Sequence, residues 1–174
     1  MAAAAAASST SLETITDAAS NRVVAASSSA SSPFRLVEKT GDLFTCDAKA
    51  SLAHCVSACL AMSKGVAVPF KEKFGSVAEL KAQHAQMGQV AVLQRDERFI
   101  YYLITKARFF HKPTYASLEQ SLVCMRDHMQ THGVTQLAIP RIGCGLDGLK
   151  WDQVTAILQR IFKGMQCELT VYTL

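Results

Sequence analysis

The chain has 174 residues, of which 49% are hydrophobic, 18% are charged and 7% are aromatic. This length favours one domain, alone or with an extension, over two full-size domains. No apolar run approaches the roughly 20 residues that a membrane helix needs, so we expect no membrane span. The formal net charge of +4 suits phosphorylated ligands, although most small basic domains bind nothing anionic in particular. The basic residues are not interleaved with aromatic ones as in a base-stacking surface, so we do not expect a dedicated nucleic-acid module.

Residues 1–33 form a compositional block of their own. They are mostly Ala and Ser and carry only Glu13, Asp17 and Arg22 as charged residues. Polar residues interrupt the apolar core that a secretory signal needs, and arginine does not outnumber the acids as in a mitochondrial presequence. We therefore predict a disordered Ala/Ser-rich tail over residues 1–33 and a folded domain over residues 34–174.

The six cysteines show no Cys-x-x-Cys pair, and the pair Cys55 and Cys59 has no second pair at metal-ligand spacing. We predict reduced thiols in an intracellular protein. The compartment that we expect is the nucleus, the cytoplasm or both. We expect neither a metal site nor a cofactor.

From Phe34 onward, short apolar runs alternate with helical patterns. Strands are predicted over residues 34–39, 51–56, 89–93, 99–105, 135–139 and 168–172, and a polar turn at 95–98 joins the third and fourth as a hairpin. Helices are predicted over residues 66–74, 76–86, 113–131 and 151–162, with Ser76 as the cap of the second. This alternation predicts an α/β layered domain with a mixed sheet covered on both faces.

Ligands of such sheets bind beyond the carboxyl ends of the strands, which indicates the segments 41–43, 57–65, 102–106 and 140–148. The last of these contains Gly143, Gly145 and Gly148. Glycines there allow the backbone to approach a ligand and to turn N–H groups toward an anion, although an ordinary flexible connection fits equally well. The segment is neither a Walker A loop nor a Gly-x-Gly-x-x-Gly motif, so kinase and dinucleotide-dehydrogenase functions lose support.

Five side chains on or near these strands are weighed as candidates for chemistry. Asp42 and Asp147 can accept a hydrogen bond or a proton, although aspartate is common in turns. Lys106 ends an apolar strand, where its amine is either a nucleophile or simply reaches water. His54 fits a core histidine better than a catalyst. Ser57 lacks the Gly-x-Ser-x-Gly setting of a serine hydrolase.

Seven motifs follow one another in an order that resembles the macrodomain family, and within it the terminal ADP-ribose glycohydrolases. They are GDLF (41–44), SLAHCVS (51–57), GVAVPFKEKFG (65–75), YYLITK (101–106), KPTY (112–115), PRIGCGLD (140–147) and VYTL (171–174). The resemblance covers about residues 36–174. It implies a three-layer α/β/α sandwich with a central mixed sheet, and an ADP-ribose cleft at the strand ends.

The resemblance also implies roles for residues. Lys106 matches the catalytic nucleophile and Asp147 the acid/base, while Asp42 matches the residue that contacts adenine. The loop from Arg141 to Leu146 matches the segment that wraps the diphosphate and distal ribose. The predicted ligand-binding residues are Asp42, Leu43, His54, Ser57, Gly65, Val66, Thr105, Arg141, Ile142, Gly143, Cys144, Gly145, Leu146 and Leu174. One departure is that Ser63 and Lys64 replace small residues of the family motif before Gly65.

The leading hypothesis is a hydrolase that removes mono-ADP-ribose from glutamate and aspartate side chains of proteins through a covalent lysine intermediate. O-acetyl-ADP-ribose is a further candidate substrate. The alternatives are a non-catalytic reader of ADP-ribose and an ADP-ribose-1″-phosphate phosphatase. The expected partners are ADP-ribose and mono-ADP-ribosylated proteins, with poly-ADP-ribose and ADP-ribosylated nucleic acid ends as further candidates. We expect a monomer without a membrane partner.

Overall fold

The computed structural model describes residues 33–174, so the predicted Ala/Ser-rich tail lies almost wholly outside the described residues. The strands are β1 (Arg35–Thr40), β2 (Ser51–Ser57), β3 (Val90–Arg95), β4 (Arg98–Lys106), β5 (Gln136–Pro140) and β6 (Glu168–Thr173). The helices are α1 (Ala67–Phe74), α2 (Val77–Ala82), α3 (Tyr115–Thr131) and α4 (Trp151–Phe162), with a 3₁₀ turn at Leu43–Thr45. No helix within residues 33–174 is long and apolar enough to cross a membrane.

The six strands form one sheet in the order β1-β6-β5-β2-β4-β3. All neighbouring strands are parallel except β3 and β4, which form the predicted antiparallel hairpin. Strand β2 pairs with β5 at Ser51–Leu137 and Leu52–Ala138, near the start of both strands, and the register continues no further. The sheet therefore opens between β2 and β5 toward its carboxyl edge, which creates room for a ligand.

Helices cover both faces of this sheet, as the sequence predicts. On one face, α3 and α4 contribute residues such as Leu122 and Leu158 to a core that includes Leu103 of β4. On the other face, Phe70 of α1 and Leu80 of α2 belong to a second core with Leu52, Tyr102 and Ile104. The prediction of an α/β sandwich with a mixed central sheet is confirmed.

The predicted helix over residues 76–86 is wrong in its extent, because α2 ends at Ala82. The side chain of Gln83 instead pairs with the backbone of Val92 in β3, donating to its carbonyl at 2.7 Å and accepting from its N–H at 2.8 Å. Ser76 adopts a left-handed conformation (φ 50°) and its side chain does not cap the helix. Its hydroxyl accepts a hydrogen bond from Arg95 at 2.5 Å instead.

Helix α3 begins two residues later than predicted, at Tyr115 rather than Pro113. Thr114 and Ser117 form a reciprocal capping box: each hydroxyl accepts a hydrogen bond from the backbone N–H of the other residue, both at 3.1 Å. This pair supplies partners for N–H groups that the first turn leaves free. The start of α3 is thus fixed directly after the segment that follows β4.

Candidate active site

A cavity of about 520 Å³ lies at the carboxyl edge of the sheet, where β2 and β5 diverge. It takes its walls from the ends of β2, β4 and β5 and from the segments that follow them. Predicted site residues in this lining are Ser57, Gly65, Val66, Lys106, Arg141, Ile142, Gly143, Gly145, Leu146 and Asp147. The strand-end rule therefore locates the cavity correctly.

Lys106 and Asp147, the two predicted catalytic residues, meet in this cavity. Lys106 is the last residue of β4, and its Nζ donates to Oδ1 of Asp147 at 2.5 Å. Both side chains are only 15% exposed. An amine and a carboxylate at this distance can exchange a proton directly, and the amine becomes a nucleophile when it has lost one.

The segment after β5 folds back on itself around Gly143. Gly143 has φ +72°, and a Cβ added there would lie 2.8 Å from Cδ1 of Leu149. The Leu149 N–H donates to the carbonyl of Gly143 at 2.8 Å, which closes the loop. Cys144 lies outside the cavity lining, and its thiol donates to the carbonyl of Ile142 at 3.4 Å. This arrangement brings Asp147 back over the sheet edge toward Lys106.

Arg141 anchors the beginning of this loop. Its guanidinium donates to Oε2 of Glu38 in β1 at 2.7 Å, while the indole N–H of Trp151 donates to Oε1 at 2.9 Å. The guanidinium also lies 5.6 Å from the centre of the Trp151 ring. The hydrogen bonds from Trp151 and Arg141 hold the pKa of the Glu38 carboxyl below its usual value. Glu38 and Trp151 lie 113 positions apart, and neither is among the site residues predicted from the sequence.

A second contact crosses the mouth of the cavity. Nζ of Lys112 donates to the carbonyl oxygen of Leu146 at 2.6 Å. Cδ1 of Leu146 lies 3.6 Å from where a Cβ would stand at Gly65. Ser63 and Lys64, which depart from the family motif, are exposed and line the cavity on this side.

The segment after β4 supplies lining residues that the sequence analysis did not single out, namely Phe109, Phe110 and His111. The sequence signal for them is a run of three consecutive aromatic residues that begins three positions after the last residue of β4.

Three predicted ligand residues lie outside the cavity lining, near the β1–β6 side of the sheet. Asp42 is exposed and follows β1, and its Oδ1 accepts a hydrogen bond from the N–H of Phe44 at 2.9 Å. Leu43 is buried beside it, whereas Leu174 is fully exposed. The structure therefore does not bring these residues together with Lys106, although Asp42 follows a strand at the same edge of the sheet.

His54 and Thr105 are buried in the sheet and outside the cavity lining. The imidazole of His54 stacks on the ring of Phe70 with centroids 3.9 Å apart. Burial lowers the pKa of His54 to about 3, so the ring is neutral. Within the described part of the chain, no three His, Cys, Asp or Glu side chains cluster closely enough to hold a metal ion.

Comparison with known proteins identifies the family. The macro domain family matches residues 53–158. The chain belongs to the macro domain family. It is 52% identical over 140 residues to the ADP-ribose glycohydrolases OARD1 of Homo sapiens and Bos taurus, a match that covers 80% of this chain and 92% of each relative. The resemblance inferred from the seven motifs is thereby confirmed.

Solved structures agree with this assignment. The macrodomain of Thermus aquaticus DarG superposes with a TM-score of 0.72 at 26% identity, over 81% of this chain and 99% of that one. The macro domain match contains the complete cavity lining, including Lys106 and Asp147. Asp42, Leu43 and Leu174 lie outside the matched residues. The family match thus covers the cavity together with its amine–carboxylate pair.

Proposed function

We propose that this macrodomain is an ADP-ribose glycohydrolase, a hydrolase that releases ADP-ribose from ADP-ribosylated proteins. The observation that carries the proposal is the contact between Lys106 and Asp147 inside the cavity at the sheet edge. The names of the 52% identical relatives, ADP-ribose glycohydrolases, support the same reaction class. A site that only held ADP-ribose would not need a nearly buried amine beside a carboxylate.

In the proposed complex, the loop from Arg141 to Leu146 surrounds the diphosphate with backbone N–H groups. Gly143 and Gly145 support this role, because a glycine backbone approaches an anion closely. Asp42, Leu43 and Leu174 would then face the adenosine end, because they lie on the β1–β6 side of the sheet. This orientation leaves C1″ of the distal ribose at Lys106, on the β4 side.

The proposed first step forms a bond between Nζ of Lys106 and C1″. The C1″–O bond to the acceptor breaks, and the acceptor carboxylate leaves with the bonding electron pair. The proton that Nζ loses passes to Asp147, which is its hydrogen-bond partner at 2.5 Å. The C1″–O4″ bond of the ribose ring then breaks, the second proton of Nζ passes to O4″, and an imine remains between Nζ and C1″.

The proposed second step restores the enzyme. Asp147, which now holds the proton, returns it as water adds to C1″ and the C1″–Nζ bond breaks. The products are free ADP-ribose, whose ribose ring closes again, and the ammonium form of Lys106. The ammonium releases one proton to water before the next cycle, and this is the proton that ester hydrolysis sets free. One acid/base group suffices for both steps, because the carboxylate leaving group of the first step requires no proton.

This leaving-group argument supports glutamate and aspartate esters of mono-ADP-ribose as substrates. The acetyl ester of ADP-ribose has the same type of bond and is a smaller substrate of the same chemistry. A non-catalytic reader would use the same cavity without breaking the bond, and a phosphatase would act on a 1″-phosphate instead. The test separates these three functions.

The test measures ADP-ribose release from a protein ester-linked to mono-ADP-ribose, together with ADP-ribose binding by calorimetry. Lys106→Ala should lower release at least about a thousandfold, roughly 4 kcal/mol in the activation barrier, while the affinity falls much less. Lys163→Ala is the control, because Lys163 is an exposed lysine at the end of α4. Wild-type protein that binds ADP-ribose but releases none would be a reader. Release of phosphate from the 1″-phosphate alone would indicate the phosphatase.

A further inference from the structure

Large apolar side chains concentrate around the mouth of the cavity. In the described part of the chain, the exposed large hydrophobic residues are Val66, Met87, Phe109, Phe110, Leu146 and Leu174. Four of these six line the catalytic cavity: Val66, Phe109, Phe110 and Leu146. Single exposed apolar residues are ordinary, whereas a cluster around one opening indicates a contact surface.

Phe109 and Phe110 are the largest members of this cluster, and they are arranged as a platform. Their side chains are 58% and 67% exposed. The two rings meet edge to face with centroids 5.3 Å apart, and Phe110 meets His111 in the same way at 4.6 Å. A backbone hydrogen bond from His111 N–H to the Arg108 carbonyl at 3.0 Å closes the turn that carries them. The rings support one another and leave much of their area open to a partner.

The position of this platform relative to Lys106 indicates which part of the substrate the platform contacts. Phe109 and Phe110 follow Lys106 by three and four residues, at the end of β4. The diphosphate loop follows β5, on the other side of β2. In the proposed reaction, C1″ lies at Nζ of Lys106, and the acceptor is attached to C1″. Because the platform and Lys106 line the same cavity, whatever carries the acceptor can leave the cavity beside this platform.

We propose that Phe109 and Phe110 form an acceptor-binding surface that contacts the substrate polypeptide and favours large apolar side chains next to the modified carboxylate. This inference rests on the proposed function and adds a sequence preference to it. A polypeptide fits better than a nucleic acid strand, because the two cations that flank the platform in the chain present no free charge to the cavity. Lys112 donates to the Leu146 carbonyl, and Arg108 lines a different depression together with Lys81 and His84. The exposed Lys64 also lines the cavity, but it comes from the segment after β2.

The test compares three substrates. Two are peptides of equal length with ADP-ribose ester-linked to a central glutamate. In the apolar peptide Leu and Phe flank this glutamate, and in the serine peptide Ser flanks it on both sides. The third is the acetyl ester of ADP-ribose, which has no polypeptide. The wild-type protein should cleave the apolar peptide with about tenfold higher kcat/KM than the serine peptide, mainly through a lower KM, which corresponds to about 1.4 kcal/mol.

The double variant Phe109→Ser/Phe110→Ser should lose this preference, so that the ratio of the two peptide kcat/KM values approaches one. Met87→Ser is the matched control, because Met87 is 55% exposed and lies outside the cavity lining, and it should keep the ratio. Since the substituted side chains are exposed, the melting temperature should stay within about 2 °C of the wild type. That measurement separates a lost contact from a lost fold.

A wild-type protein that cleaves both peptides equally well would overturn the inference, as would a double variant that keeps the preference. The double variant is also assayed on an ADP-ribosylated oligonucleotide. A loss of cleavage confined to that substrate would overturn the inference and would assign the platform to a nucleotide. In each of these cases cleavage of the acetyl ester leaves the proposed function standing. Failure of the wild-type protein to cleave any of the three esters would instead overturn the proposed function, and the inference with it.

Discussion

Arg141 directs its guanidinium to Glu38, with 2.7 Å between its Nη2 and Oε2 of the carboxylate. Glu38 lies on β1, whereas Arg141 directly follows β5, and β6 lies between the two strands. The pair therefore spans three strands and holds the first residue of the proposed diphosphate loop. The family resemblance in the sequence predicts that Arg141 binds the ligand. The geometry supports an indirect role, in which Arg141 positions the loop through its contact with Glu38.

Glu38→Ala should consequently weaken ADP-ribose binding about fivefold, which corresponds to about 1 kcal/mol. The figure is modest because the two side chains are 48% and 42% exposed, and water screens such a pair. Calorimetric titration with ADP-ribose measures this loss of affinity. Glu119→Ala is the matched control: it removes a pair with Arg160, also at 2.7 Å, between α3 and α4. Tighter binding in Glu38→Ala would contradict this role, since it would mean that a freed Arg141 contacts the diphosphate directly.

Gly143→Ala should destabilise the loop that carries Asp147. The backbone of Gly143 is left-handed, with φ +72°, and the new methyl group would meet Cδ1 of Leu149 at 2.8 Å. A left-handed alanine costs about 1 kcal/mol, and the displacement of Leu149 adds to it. We expect the melting temperature to fall by about 5 °C and ADP-ribose affinity to fall at least about threefold.

Gly145→Ala serves as the stability control for that variant. Gly145 has no atom within 4 Å of an added Cβ, and its φ is not in the left-handed range. The melting temperature of Gly145→Ala should therefore equal that of the wild type. Equal melting temperatures for Gly143→Ala and the wild type would show that the loop tolerates a side chain at position 143.

Predictions from the sequence succeed where a pattern is local. Helix α4 begins at Trp151 and ends at Phe162, as its apolar spacing predicts, because Val154, Leu158 and Ile161 form one buried stripe. The meeting of Lys106 and Asp147, 41 residues apart, also follows from a simple rule. Lys106 is the last residue of one parallel strand and Asp147 lies in the segment that follows another. The carboxyl ends of parallel strands share one edge of the sheet.

Predictions fail where a side chain finds a partner far along the chain. Helix α2 ends early because Gln83 pairs with the edge strand at Val92, and nothing in the local pattern announces that contact. The same holds for Glu38, whose partners Arg141 and Trp151 are more than 100 positions away. An exposed glutamate in a weakly alternating strand carries no local sign that it anchors a loop.

The buried imidazole of His54 should make stability depend on pH. Burial lowers its pKa from 6.5 to about 3 in the folded protein, so below pH 6.5 the unfolded chain binds a proton that the folded protein does not. Stability should therefore fall as pH falls from about 6.5 to about 3, by about 1.4 kcal/mol per pH unit from this group. Urea unfolding at a series of pH values measures the slope.

His54→Leu should remove this part of the slope. Neither ring nitrogen of His54 has a hydrogen-bond partner of good geometry among the described residues, so the leucine variant should be at least as stable at pH 7. His84→Asn is the control, because His84 is exposed and asparagine tolerates its left-handed backbone (φ 52°). An unchanged slope in His54→Leu would mean that other groups cause the acid sensitivity.

The covalent step can be observed directly at Lys106. Borohydride added during turnover should reduce the imine between Nζ and C1″ to a stable amine, and mass spectrometry should find the added mass on the peptide that contains Lys106. Asp147→Asn keeps the size of the side chain but cannot take up the proton, so ADP-ribose release should fall at least about a thousandfold, roughly 4 kcal/mol. The adduct should still form slowly in this variant, because the amine remains in place.

Asp152→Asn is the matched control, since Asp152 is an exposed aspartate in the first turn of α4, and its release rate should equal that of the wild type. The two readouts together separate covalent from direct hydrolysis. In direct hydrolysis, Asp147 would activate water for attack on C1″. No adduct would then be trapped in the wild type, and Lys106→Ala would retain most of its turnover while Asp147→Asn lost it. If the adduct is trapped in the wild type and Lys106→Ala is inactive, Nζ of Lys106 is the atom that bonds to C1″.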